Sequence, residues 1–535
     1  MRLIIKEYIA QLKEKDELDI LISGIFEQKG YVADSQPKTG NRQYGVDIQL
    51  HNDSELLLFV VKQGDIDRVV WDGSINAVRP SLDEIKDVMI NSLTYEEKKK
   101  GIRIIVATNG NKDEAIKLNW NNYVNNNQMW NGIPIKIEFM GIDDIVMEVK
   151  ENYFNEYLFD SSMHSFMRKA LYFIDDGDYK KTYFEQIVDS IIIKIREAGK
   201  NKKKVNKACA TLCMASQMIC AYAANEGIIK VSIDISEYVI MKFWKYFLEE
   251  ELFEKQQQVG WLIKFCKSYE HWNKLYLEKI ERIVNQHSVL PNYNVVENRV
   301  LLYEVLSYLA SYGNYLLNVD SKRAKRVLNA IVGLINEYQY FAYAPYDVSI
   351  NVVIMIQKLL VYFGRKNEAV SLLQMQVETM MYHYKWNKKF PAPNDNFEEA
   401  LEIENNVGRV KYDSSAFWGY CLLIIATLDC KEIYDNIRDF LVQDLEKTTK
   451  CVWFMRREEE LLFYDYYAMN IAGEGVELTL ENNYDKFKAN VDFVIEQYKD
   501  EIFSFEDYSF SSLEIILCHY YNYIPRVNFL EGEVN

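Results

Sequence analysis

The grammar of apolar residues changes once along this 535-residue chain, near residue 158, and that change limits the architectures open to it. Before it, short apolar runs bounded by turn residues alternate with segments of helical spacing. After it come long stretches of 3.6-residue periodicity. These are separated by GKNKKK near 200, LPNYN at 290–294, APYD at 344–347 and FPAPNDN at 390–396. Only 8 prolines and 22 glycines occur, so little interrupts helix. The length also exceeds what one core serves. The expected division is an α/β domain over 1–157 and a large all-α region over 158–535.

Within the first part, Asp16 is placed to cap a helix whose positions Leu18, Leu21, Ile22, Ile25 and Phe26 keep helical spacing, with Gly30 ending it. A strand follows at Tyr31–Ala33, then the polar stretch SQPKTGNRQ. GVDIQL (45–50) and LLLFVVK (56–62), joined by HNDS, read as a hairpin whose second strand is apolar enough to be central. A helix over about 81–95, a buried strand IRIIVA (102–107) and a helix over about 112–125 come next. A strand PIKIEF (134–139) and an amphipathic helix over 142–157 complete it. Hairpin first and crossovers later predict a mixed sheet with helices on both faces. In the second part, YFGRKNEAVSLL (362–373) and IDDGDYKK (174–181) look like turns of helix hairpins, and the former is tetratricopeptide-like. No constant 34-residue period recurs, so an irregular solenoid or bundle is expected.

The formal charge of −17 opposes any coating of nucleic acid through bulk charge; contact with DNA needs a local basic patch or a bound divalent metal. All 8 cysteines lie beyond residue 200 without a CxxC pair. Cys209 and Cys213 share one face of an Ala-rich helix, as core residues in a reducing cytoplasm would. The opening MRLIIKEYIAQLKEKDE has no signal-peptide core, and the longest uncharged stretch, 208–225, holds Thr, Ser and Gln. A cytoplasmic protein without a membrane span is expected. The 6 histidines form no triad or zinc pattern, and no phosphate-cradling glycine motif occurs.

Cutting a phosphodiester requires an activated water and charge stabilisation on the transition state. Mg²⁺ (or Mn²⁺) held by oxygen ligands, with a lysine beside it, supplies both. Asp47 in the first hairpin strand and Lys62 at the end of the second have the spacing to converge, and Glu27 on the preceding helix can reach the same place. Arg42, in the loop before GVD, is placed to bind phosphate. Lys98, Lys99 and Lys100 form a basic run that can touch a nucleic-acid backbone, as can Lys200–Lys204. Solvated helix ends explain both runs equally well.

GVD, VVKQGDI and IIVATNGN, in this element order, resemble the PD-(D/E)xK nuclease superfamily, particularly its Mrr-like restriction-endonuclease branch, over roughly residues 10–158. The resemblance implies a restriction-endonuclease-like fold and Mg²⁺-dependent DNA cleavage. By position it implies Glu27 and Asp47 as metal ligands and Lys62 as catalytic lysine. The residue two before the lysine should be Glu or Gln, and here it is Val60. Three readings stay open. In the first, the backbone carbonyl of Val61 completes a site made by Asp47 and Glu27. In the second, the missing group has moved to Gln63 or Asp65. In the third, the site is weakened and kept for binding. The helical region is expected to bind a protein partner or to form a homo-oligomer. A nuclease joined to a helical sensor has the layout of bacterial anti-phage effectors. The competing expectation is a degenerate nuclease-like domain in a non-enzymatic scaffold. A nucleotide-sensing helical region is a third, without a pocket motif.

Overall fold

The computed structural model describes residues 2–33, 44–152, 161–175, 181–285, 294–405, 413–454, 456, 459, 464, 474–498 and 512–523. Helix α1 (Arg2–Ile9) and a π-helical turn (Glu14–Leu18) lead into α2 (Asp19–Gln28). Residue 16 therefore lies inside helical backbone and is not a cap; Leu18 occupies the N-cap position of α2. Strands β1 (Val32–Ala33), β2 (Ile48–His51) and β3 (Glu55–Lys62) form antiparallel ladders, with Ile48 opposite Phe59. Helix α3 (Arg68–Asp72) follows, and the helix expected over about 81–95 runs unbroken over 78–92 as α4 (Val78–Glu84), a π turn (Ile85–Met89) and α5 (Ile90–Ser92). Strand β4 (Gly101–Thr108), α6 (Lys117–Asn126), β5 (Met129–Trp130), β6 (Ile133–Met140) and α7 (Ile142–Asn152) follow.

The six strands lie in the order β1-β2-β3-β4-β6-β5, with β3, β4 and β6 parallel, so the sheet is mixed as the hairpin-then-crossover order predicts. Residues Leu56–Val61 of β3 are all buried because both faces of the sheet are covered. On one face Leu56, Leu58, Val60, Ile104 and Val106 pack against Val78, Leu82 and Trp120 from the helices. On the other, the Phe59 ring meets Phe26 of α2 edge-on at 5.0 Å. Each such buried Val or Leu contributes about 1.5–3 kcal/mol. The parallel strands align their C-terminal ends, Lys62 beside Thr108, which gathers the loops there.

Helices α8 (Ser161–Asp175), α9 (Lys181–Ala198) and α10 (Lys202–Asn225) come next. By packing, the chain divides into compact units at 1–227 and 228–535, so these three helices go with the sheet. Loss of strand grammar near 158 marks where the six-stranded sheet ends, and packing places the boundary some seventy residues later, because α10 lies against α1.

The second unit is mostly helical. It comprises α11 (Ile229–Glu249), α12 (Gln256–Asn285), α13 (Val295–Tyr315), α14 (Ser321–Glu337), α15 (Ile350–Tyr362), α16 (Lys366–Asn387) and α17 (Phe397–Asn405). After these come α18 (Ala416–Leu428), α19 (Lys431–Gln443), α20 (Tyr484–Tyr498) and α21 (Leu513–Tyr520). At the tetratricopeptide-like turn Gly364 takes a left-handed φ of 70° after α15, and Ala369 is buried in α16. A buried seam joins α11, α13 and α21: Tyr308 donates to Asp234 at 2.7 Å, and His519 Nδ1 lies 2.8 Å from Glu237. The second part is not free of strands. A small sheet of β7 (Ser414–Ser415), β8 (Thr449–Phe454) and β9 (Glu474–Glu477) packs on α18. No helix among the described residues is long and apolar enough to cross a membrane.

Candidate active site at the hairpin exit

The chain enters β2 through Tyr44 and Gly45, both with left-handed backbone (φ 46° and 81°). A Cβ on Gly45 would stand 2.3 Å from the Ser81 carbonyl oxygen, so only glycine lets the strand pass α4 this closely. That crossing fixes Asp47. Its N–H bonds the Phe59 carbonyl at 2.8 Å, although Phe59 is the Cα partner of Ile48, so the ladder shifts by one residue there. Asp47 Oδ2 accepts the Val61 N–H at 2.7 Å. A strand residue's N–H and C=O point to the same edge, so the Val61 carbonyl also faces the β2 side, close to this carboxylate.

Lys62 ends β3 with its side chain only 12% exposed, and its Nζ lies 3.7 Å from Glu14 Oε1. Burial pushes the Asp47 carboxyl above its usual range. The Lys62 ammonium, the Val61 N–H and, more weakly, Lys15 pull it down, while Glu14 pushes it up. Asp47, Lys62 and Glu14 thus form one electrostatic cluster.

Glu14 is held there by the ATNGN turn that follows β4. Asn109 Nδ2 donates to the carbonyls of Ile9 (3.0 Å) and Leu12 (2.8 Å), just ahead of Glu14, and its Oδ1 accepts the Gly64 N–H at 2.8 Å. Thr108 Oγ1 donates to the Gly64 carbonyl, and Asp65 accepts the Asn111 N–H at 2.7 Å. A Cβ on Gly110 would lie 2.2 Å from the Gly64 carbonyl carbon, so the two loops touch backbone to backbone. One buried asparagine therefore ties the segment ahead of Glu14 to the exit of β3.

Of the residues anticipated from the sequence, Asp47 and Lys62 come together. Glu27 is exposed on α2 and accepts from Ser23 at 3.2 Å; the carboxylate that meets Lys62 comes from Glu14 instead. Val60 is fully buried in the apolar cluster, Gln63 is exposed, and Asp65 is committed to Asn111. Arg42 lies outside the described residues. Lys98, Lys99 and Lys100 lie away from this cluster: they precede Gly101, which pairs with Glu55 at the far end of β3. Seven residues of strand, about 23 Å, separate that end from Lys62. There Lys99 pairs with Glu96 (3.0 Å), Lys100 with the Asn52 carbonyl (2.7 Å), and Lys98 with the Asn91 carbonyl (3.3 Å).

Among the described residues no group of three or more His, Cys, Asp or Glu side chains is placed to hold a metal ion. Mg²⁺ asks for less, since it often binds through one or two carboxylates and keeps several waters. Asp47 fits that minimal demand. It is a desolvated carboxylate incompletely neutralised by Lys62, and its Oδ1 has no hydrogen-bond donor among the described residues. Glu14 and the Val61 carbonyl supply further hard oxygen donors beside it. Compared with protein-family models, curated proteins and solved structures, the chain matches none.

Proposed function

We propose that the first unit is a metal-dependent DNA endonuclease of the restriction-endonuclease-like, Mrr-like class. In this reading it serves as an anti-phage effector controlled by the helical unit or a partner. The observation that supports this most is the meeting of Asp47, Lys62 and Glu14 at the exit of the hairpin. Asp47, Glu14 and the Val61 carbonyl would hold Mg²⁺ or Mn²⁺, which when bound acidifies water and polarises a phosphoryl oxygen. Lys62 neutralises charge building on the phosphorane-like transition state and orients the attacking water. The Val61 N–H fixes one Asp47 oxygen, which turns the other toward the site.

Supercoiled plasmid incubated with Mg²⁺ or Mn²⁺ tests the reading. Asp47→Ala and Lys62→Ala are expected to lose cutting at least about 100-fold, and Glu14→Gln to lose more than Glu27→Gln. Equal cutting by parent and Asp47→Ala would remove the assignment. Val60 favours a second reading, a domain that binds without cutting, because its buried side chain leaves the expected ligand position apolar. Calorimetry separates the two: the endonuclease takes up Mn²⁺ in an Asp47-dependent manner, and the scaffold takes up none.

A further inference from the structure

Helix α10 begins with Lys202, Lys203 and Lys204, preceded by Lys200, and all four side chains are exposed. None makes an ion pair within the described residues. Elsewhere in this unit lysines meet carboxylates: Lys6 meets Asp143 at 2.9 Å, Lys29 meets Glu148 at 2.5 Å, and Lys136 meets Glu138 at 2.7 Å. The position is also locally unfavourable. The first turn of a helix carries partial positive charge, and each cation there costs about 0.3–1 kcal/mol. A choice that works against its own helix is expected where it serves function, and an anion would offset its cost.

Its place in the fold shows where that anion would lie. Lys207, one turn into α10, pairs with Glu17, on the same π turn as Glu14. The lysine run lies within about 8 Å of axial rise from Lys207. Lys13 and Lys15, both exposed, flank Glu14 on the same turn, and Lys15 is near enough to Asp47 to act on its carboxyl. Glu14 and Glu17 are themselves neutralised by Lys62 and Lys207. The result is a local excess of positive charge beside the candidate site, in a chain of net charge −17. Its reach is well inside one turn of B-DNA, about 34 Å.

We propose that Lys202, Lys203 and Lys204, with Lys13 and Lys15, form the track that holds the phosphate backbone of duplex DNA against the Asp47–Lys62 site. This rests on the endonuclease reading for its substrate class but not for its test. The lysines act by counterion release, so they set affinity and not sequence choice.

The experiment is anisotropy of a fluorescein-labelled duplex about three helical turns long. It uses the full chain in Ca²⁺, across a salt series. Lys202→Gln, Lys203→Gln and Lys204→Gln together should weaken binding at least about tenfold near 0.1 M salt. They should also lower the log–log salt slope by about 0.9 for each lysine on phosphate. Lys98→Gln, Lys99→Gln and Lys100→Gln together, the same charge change at the far end of the sheet, should leave binding within about twofold. Relief at the helix terminus should keep the Tm of the first triple variant at or above that of the parent, so weak binding would not be unfolding. Equal weakening by both triples, or none by the first, overturns the proposal, as does a parent that binds no duplex. Plasmid cutting by the parent and by Asp47→Ala separates the two readings. If binding depends on these lysines while the parent cuts no plasmid, or cuts it no better than Asp47→Ala, the track stands without the endonuclease. If cutting depends on Asp47 while binding ignores the lysines, the endonuclease stands without the track.

Discussion

Burial raises the Asp47 carboxyl above its ordinary range, and Lys62 offsets this only in part. A carboxyl whose folded pKa exceeds its unfolded value of about 3.9 binds protons more readily when folded. Its contribution is therefore most favourable below that value and is lost as pH rises through the folded pKa. Asp47→Asn keeps an acceptor for the Val61 N–H and removes the half-buried charge. It is expected to stabilise the protein at neutral pH, with the gain fading as pH falls below the folded pKa toward about 3.9. Urea unfolding at several pH values checks this, and a pH-independent difference would contradict it. At Val60 the expectation runs the other way. Its side chain is fully buried among Leu58, Val106 and Leu82, so Val60→Glu places an unpaired carboxylate in an apolar core. It should cost at least about 3 kcal/mol without raising activity. Asp47 and Lys62 were legible because strand alternation is a strict rule. Glu14 was not, because it stands in the run KEKDE and begins a π turn, which breaks the 3.6-residue spacing used to locate helix faces.

The elements that position the site are held by backbone as much as by side chains. Gly45 has both a positive φ and a Cβ path blocked by the Ser81 carbonyl, so Gly45→Ala should lower stability by at least about 2 kcal/mol and disturb Asp47. Asn109 joins α1 to the exit of β3 through three hydrogen bonds. Asn109→Ala should cost about 2–3 kcal/mol, and hydrogen exchange should speed up selectively over residues 5–14 while β3 stays protected. Continuous apolar runs made β3 and β4 readable, since strands covered on both faces need them, and β6 was readable from the alternation of Ile135 and Ile137 with Lys136 and Glu138. The polar turn after β4 was visible as ATNGN, but its role depends on contacts with residues nearly one hundred positions earlier, which local pattern does not encode. The strand TKCVWF (449–454) carries β-branched and aromatic residues, yet it pairs with a two-residue strand and a four-residue strand too short to leave a period of their own.

For the whole molecule, the change of grammar near 158 and the packing boundary at 227 report different things. The first marks where the six-stranded sheet is complete, and the second where its core closes, because α10 covers α1 and Lys207 meets Glu17. A fragment of residues 1–227 is therefore expected to unfold cooperatively. One of 1–157 should aggregate or melt at least about 10 °C lower, as differential scanning calorimetry would show. The tie through Asn109 also sets an order of assembly during synthesis. Asp47 and Lys62 leave the ribosome well before residue 109, and at roughly 5–20 residues per second the anchor for Glu14 arrives seconds later. Until then the hairpin has no fixed glutamate beside it, so a half-made chain carries the parts of the site without the clasp that brings them to bear.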